Sequence, residues 1–349
     1  MKHEEKIKMF NDVFAPKAGE KVLFLVDTPH DNLKDSIVWE DRRKMAKEWY
    51  DIFKEMGEQK GFMVDLMEYP ATGLHNSIIP KDIIDLACKS NLVIAITEFS
   101  ASSSLVNIAN KSSITRCTSM PMVERRMEQT AFKADYSEVQ RHAAALEKIL
   151  NNAMSADVTF STGDTLHVDL RYRTAKREAG DCSKLGQLIN FPSGEAWKVP
   201  YEATPDEIGK FGKSKTEGIQ PVSIDGELMK FKIKNNKIIE IDGEGRKAEE
   251  MRSFFNENES RRNIAEFAFG CNQKAVVTGN KLEDEKASGL HIGYAMSTQL
   301  GGKVESDMHE DIIYAKGCPV EATKVILTNK DGAKTEVIRD SIIRYELLE

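Results

Sequence analysis

The chain is 349 residues long, 40% hydrophobic and 30% charged, the proportions of a soluble globular protein with length enough for two cores. Its formal net charge of −7 is spread along the chain with no long basic block, which excludes nucleic acid as the main partner. No apolar run nears the roughly 20 residues of a membrane span, and the five cysteines (88, 117, 182, 271 and 318) are too scattered for a disulfide framework or a Cys-x-x-Cys metal site. The charged opening Met1 to Lys6 is not expected to be a secretion signal, and a reducing cytoplasm is the expected home.

Residues 1–19 read as a short polar helix followed by a Pro/Gly turn. Lys21 to Val26 is almost continuously apolar, the pattern of a strand buried on both faces. A helix is predicted over about 38–57, with Trp39, Met45, Trp49, Ile52 and Phe53 on one side. A strand at 62–68, a helix near 81–88, a second buried strand at 92–96 and a helix around 102–112 follow. Strand and helix alternate over short connections, so residues 1–155 are expected to form an α/β sandwich with a parallel sheet. No glycine-rich phosphate loop follows any of these strands, and the Ser100 to Ser104 run reads as an N-cap. The domain is therefore expected to be architectural, with a homodimer as one use for it.

A helix at about 136–153 leads into different material. Alternating runs flank Thr162-Gly163-Asp164, Asn235-Asn236 and Asn329 to Gly332, each the mark of a hairpin, and one helix is predicted over 246–257. Residues 156–349 are thus expected to form an α+β, mostly antiparallel, metal-binding catalytic domain.

Candidate ligands concentrate in this half. His309 and Asp311 lie two apart in a predicted strand, so they project from one face. Gly301-Gly302 allows the chain to turn back between His291 and His309. Glu195 leaves a turn shaped by Pro192 and Gly194. Glu266 sits alone in the apolar run Ile264 to Phe269, where an unpaired carboxylate is costly to bury. Five ligand-type residues exceed the need of one ion and suit a two-metal centre.

Asn190 to Glu195, Ala265-Glu266 with Gly270, Leu282 to Ala287 leading to His291-Ile292-Gly293, and His309-Glu310-Asp311 occur in an order that resembles the aminopeptidase T family of metallopeptidases. The resemblance is clearest over about 157–320. It implies two divalent ions, zinc or cobalt, on Glu195, Glu266, His291, His309 and Asp311. It also implies a hydrolase that removes N-terminal residues from short peptide substrates. Either Glu266 or Glu285 is a candidate proton shuttle, and Tyr294 stands where the family has an assisting tyrosine. A second reading comes from ring-opening dihydroxypyridine dioxygenases, which resemble the same family but use one iron with two histidines and one carboxylate. Retention of Glu195 and Glu266 favours the two-ion hydrolase, and an intact ligand set argues against a degenerate binding protein.

Overall fold

The computed structural model describes residues 1–349. From the N-terminus, α1 (His3–Phe14) leads to β1 (Lys21–Thr28), α2 (Ile37–Lys60), β2 (Met63–Pro70) and α3 (Lys81–Ala87). Next come β3 (Leu92–Thr97), α4 (Ser102–Lys111), β4 (Arg116–Pro121) and α5 (Tyr136–Asn152). The chain then runs through β5 (Ala153–Phe160), β6 (Thr165–Asp169), β7 (Lys176–Glu178), β8 (Leu188–Asn190) and β9 (Glu195–Lys198). After α6 (Pro205–Phe211) it forms β10 (Glu217–Ile224), β11 (Glu227–Lys234), β12 (Lys237–Asp242), α7 (Arg246–Glu257) and β13 (Ile264–Gly270). A single turn, α8 (Lys281–Asp284), precedes β14 (Gly289–Ala295), β15 (His309–Ile313), β16 (Ala322–Asn329), β17 (Lys334–Arg339) and β18 (Ile342–Ile343). No helix is long and apolar enough to cross a membrane.

These elements form two compact units, each discontinuous in sequence. The first gathers Met1–Gln140, Glu178–Ser193 and Gln273–Glu283; the second gathers Arg141–Arg177, Gly194–Asn272 and Asp284–Glu349.

The first unit is a five-stranded parallel sheet in the order β2-β1-β3-β4-β8. β3 is buried at every position and β1 at its six central ones, as continuous apolar runs demand. Each face has its own core. Phe24, Trp49, Phe53, Ile94 and Phe191 share one, and Leu23, Leu25, Val93, Ala95 and Leu105 the other. α2 supplies the apolar stripe read from sequence. It begins where Ser36 Oγ accepts a hydrogen bond from Trp39 N at 3.1 Å and ends at Gly61. The expected parallel α/β arrangement forms, with two strands, β4 and β8, that hydropathy does not reveal. β4 lies inside the sheet although it carries Arg116, Thr118 and Ser119, all buried. Arg116 is tolerated there because its guanidinium donates to both oxygens of Glu20, at 2.7 and 2.8 Å, and to Phe14 O at 3.1 Å.

The second unit holds two sheets. One has eight antiparallel strands in the order β12-β11-β10-β6-β5-β16-β17-β18, built from the three expected hairpins. The other runs β15-β14-β13-β9-β7. Its β13 and β14 are buried throughout, and it carries every residue singled out above as a metal ligand. The architecture is thus α/β with a parallel sheet, joined to mostly antiparallel α+β, as the sequence predicts.

Candidate metal centre

The third sheet is a platform whose register decides which side chains meet. Glu266 on β13, Gly293 on β14 and Asp311 on β15 stand directly opposite one another. One row along, Ala268 faces His291; on the other side Ala295 faces His309. Alternation with period two places Glu266, His291, His309 and Asp311 on a single face. The positions between them are occupied by glycine or alanine, so the larger groups reach over an open middle.

Gly293 is the clearest case. A Cβ there would stand 2.6 Å from Asp311 Oδ1 and 2.7–2.8 Å from the His309 ring. Gly270 does the same work at the neighbouring corner, where it pairs with Glu195 and with Gly289. A Cβ on Gly270 would lie 2.6 Å from Glu285 O and 2.9 Å from Lys286 C. The bare backbone therefore lets residues 285–287 cross directly above it, fastened by Asn272 N donating to Lys286 O at 3.0 Å.

Two groups of potential ligands result, each with its donor atoms within 4.8 Å of one another: Glu266, His309 and Asp311, and Glu195, Glu285 and His291. His309 Nε2 lies 3.1 Å from Glu266 Oε2 and 3.2 Å from Asp311 Oδ1, while its Nδ1 is 2.7 Å from Met296 O. That carbonyl can only accept, so it fixes a proton on Nδ1 and aims Nε2 inward. His291 Nε2 is buried with no hydrogen-bond partner, 3.5 Å from Glu195 Oε2 and 3.8 Å from Glu266 Oε1. Lys286, to which the sequence alone assigns no role within Leu282 to Ala287, is buried here. Its Nζ donates to Glu195 Oε1 at 2.6 Å and lies 3.2 Å from Glu285 Oε1.

Crowding of like charges away from water shapes the electrostatics. Burial, reinforced by Asp311, pushes the Glu266 carboxyl up to about 8. Burial likewise raises Glu285, with Lys286 pulling the other way. Asp311 is also penalised by burial, but the adjacent His309 outweighs this and holds it well below the usual carboxylate range. His309 shows the converse: burial opposes its charge, and Asp311 and Glu266 hold its imidazole well above the ordinary value. Burial depresses His291.

The structure brings Glu195, Glu266, Glu285, His291, His309 and Asp311 to one place. Tyr294 does not join them. It projects from the opposite face of β14 and packs on Phe255, with ring centroids 5.3 Å apart.

A metal ion fits what is present. The cluster offers imidazole and carboxylate donors, a buried imidazole nitrogen without a partner, and a glycine gap that any side chain would fill.

The fold is one that two solved structures share. The 2,5-dihydroxypyridine dioxygenase from Pseudomonas putida KT2440 is 17% identical, covers 100% of each chain and superposes with a TM-score of 0.69. AmpT from Thermus thermophilus is 16% identical, covers 98% of this chain and 99% of its own, and gives 0.61. Among curated proteins none matches. The chain belongs to the NicX family, 2,5-dihydroxypyridine 5,6-dioxygenase, whose profile matches residues 17–295.

That match corrects the reading drawn from ordered motifs. Resemblance to aminopeptidase T holds for the scaffold, but the expected metallo-aminopeptidase, a hydrolase acting on peptides, is overturned by membership of a dioxygenase family. The expected pair of zinc or cobalt ions falls with it, since that family was distinguished above by a single iron. The physical reason lies in Glu195. Its retention beside Glu266 favours a second ion only if it lacks a positive partner, and Lys286 Nζ donates to it at 2.6 Å.

Proposed function

We propose that this protein is a single-iron dioxygenase that opens the ring of 2,5-dihydroxypyridine or a close dihydroxylated relative. The observation that carries this reading is the family match over residues 17–295, a span that includes Glu195, Glu266, Glu285 and His291. His309 and Asp311 lie beyond it in sequence but converge on the same sheet face.

His291, His309 and Asp311 would hold the iron, a two-histidine, one-carboxylate set. Asp311 is preferred as the ligand carboxylate because it follows His309 by two on one face of β15, with its Oδ1 3.2 Å from His309 Nε2. Bound iron would supply the one-electron chemistry with dioxygen that no side chain provides. The chain does the rest. Met296 O and the Nδ1 proton of His309 fix one imidazole ring. Glu266, its oxygens directed one to each histidine, holds a proton where a substrate hydroxyl or its anion would lie. Burial of His291, Glu195 and Glu266 limits water in the cluster.

The test is oxygen uptake by protein stripped with chelator and reloaded anaerobically with ferrous iron. Addition of 2,5-dihydroxypyridine should consume oxygen in proportion to substrate, and both atoms of labelled dioxygen should appear in the ring-opened product. Asp311→Ala and His309→Ala should each abolish uptake and weaken iron binding while the fold persists. Uptake no faster than with free iron across a panel of dihydroxypyridines sinks the proposal.

A further inference from the structure

The carboxyl edge of the parallel sheet holds a cavity to which the metal chemistry gives no role. In the order β2-β1-β3-β4-β8 the chain leaves β1 to one side for β2 and returns on the other side for β3. Open α/β sheets take their ligands at the carboxyl ends of the strands where that reversal occurs. Here α2, which follows β1, supplies Val38 and Arg42, the turn after β3 supplies Glu98, and Met122 follows β4. Together they line a cavity of about 430 Å³. We propose that this cavity binds a free α-amino acid with an apolar side chain, through Arg42 for its carboxylate and Glu98 for its ammonium.

Arg42 is only 2% exposed, and a guanidinium buried so deeply needs partners. Its Nε donates to Val123 O at 2.6 Å and its Nη1 to Glu98 Oε2. Nη2 donates to no protein group, so a buried cation keeps unspent donors at the cavity wall. Glu98 is in the matching state, with Oε2 taken by Arg42 and Oε1 accepting no hydrogen bond. Asp27 fixes the turn that carries it, accepting from Glu98 N at 2.7 Å and Phe99 N at 2.9 Å. The other ion pair in the wall is spent. Arg126 donates to Glu124 Oε2 at 2.7 Å, to Thr278 Oγ1 at 2.6 Å and to Glu283, while Glu124 Oε1 accepts from Asn280 Nδ2 at 2.8 Å. Lys281, also in the wall, is exposed, where its charge is screened.

A charged donor and a charged acceptor held side by side match a carboxylate and an ammonium carried on one carbon. A carboxylate alone would meet Glu98, and an amine alone would meet Arg42, so the zwitterion is favoured over either half. Val38, half exposed on α2, and Met122 give the side chain an apolar rest. Met122 is held in the left-handed region at φ 54°, its N donating to Thr97 O at 2.8 Å and its carbonyl accepting from Asn280 at 2.9 Å.

Isothermal titration calorimetry tests this on the full chain, stripped with chelator so that no ion can hold an amino acid. The probes are L-isoleucine and its two halves, 2-methylbutylamine and 3-methylpentanoate. L-Isoleucine should bind at one site per chain, and each half about 10-fold more weakly or worse. Glu98→Gln keeps an acceptor for Arg42 but loses the charge. It should weaken isoleucine by about 10-fold and leave 3-methylpentanoate no weaker than before. Val38→Glu, at a half-exposed position that tolerates charge, should weaken isoleucine likewise, and serves if the first variant does not fold. No iron or oxygen enters the measurement, so its result is independent of the uptake assay. Absence of saturable isoleucine binding overturns the proposal, as does 3-methylpentanoate binding equally well. Binding undiminished in the variants overturns it too, since the amino acid then sits elsewhere.

Discussion

Gly293 is the smallest residue in the cluster and the least replaceable. It occupies the middle of the Glu266–Gly293–Asp311 row, where a single methyl would press on Asp311 and on the His309 ring. Gly293→Ala is expected to displace one or both ligands and weaken metal binding by roughly 10- to 100-fold, the range typical when groups that orient ligands are disturbed. A manganese titration against a competing chelator measures this, and unchanged affinity would show that the gap has no part in the site. Protons make a second test. Glu266, Glu285 and His309 all have folded-state values raised above their ordinary ones. A raised group contributes stability fully present below its unfolded value and lost as pH rises through the folded one. Metal-free protein should therefore melt at lower temperature at pH 8 than at pH 5. Metal ligation needs a neutral His309, so affinity should rise over the same interval, and saturating manganese should flatten or reverse the melting trend. A metal-free melting temperature independent of pH between 5 and 8 would count against the buried cluster.

At the scale of elements, the segment joining β14 to β15 sets where His309 stands, and a carboxylate outside the cluster holds that segment. Glu202 is buried, accepts from Lys303 N at 2.9 Å, Val304 N at 3.2 Å and the Ser297 hydroxyl, and is paired with Arg173 at 2.9 Å. Trp197 Nε1 adds a bond to Leu300 O at 3.2 Å. Glu202→Ala leaves Arg173 with Glu207 as its one carboxylate partner and frees the Lys303 N–H, while Val304 N keeps Ser297 Oγ at 3.1 Å. The expected cost is about 3 kcal/mol of stability, read by urea denaturation, with weaker metal binding because Met296 O loses its fixed position beside His309. Loss of stability without loss of metal affinity would separate the loop from the site. Sequence foretold much at this scale. Alternation put His309 and Asp311 on one face, and the lone acid in Ile264–Phe269 marked Glu266 as functional. It did not foretell Lys286, because a lysine in Glu283-Asp284-Glu285-Lys286 reads as solvated until Gly270 is known to lie beneath it. Nor did it reveal β4, whose buried polar side chains find partners only through tertiary contacts.

For the whole molecule, the chain enters the first unit three separate times. A fragment ending at residue 155 would hold β1 to β4 but lack β8, leaving one edge of β4 unpaired, and it would lose Phe191 from the aromatic core. Such a fragment is expected to aggregate or to melt well below the intact chain, which size-exclusion chromatography and thermal denaturation would show. A monomeric fragment as stable as the full chain would mean that β8 and residues 273–283 contribute little. The family resemblance is also a statement at this scale. Two solved structures with different names share the fold at 17% and 16% identity, a likeness that shows the scaffold and leaves the chemistry to the side chains laid over it.

The late arrival of β8 also has a consequence in time. A ribosome delivers β1 to β4 first, then all of β5, β6 and β7, and only afterwards the strand that completes the parallel sheet. Until then β4 presents an open edge, and closing it means joining positions far apart along the chain, the kind of pairing that slows folding. The nascent protein thus spends an interval with one unit unfinished while the next is already emerging, and a chaperone that shields exposed strand edges would act during that interval.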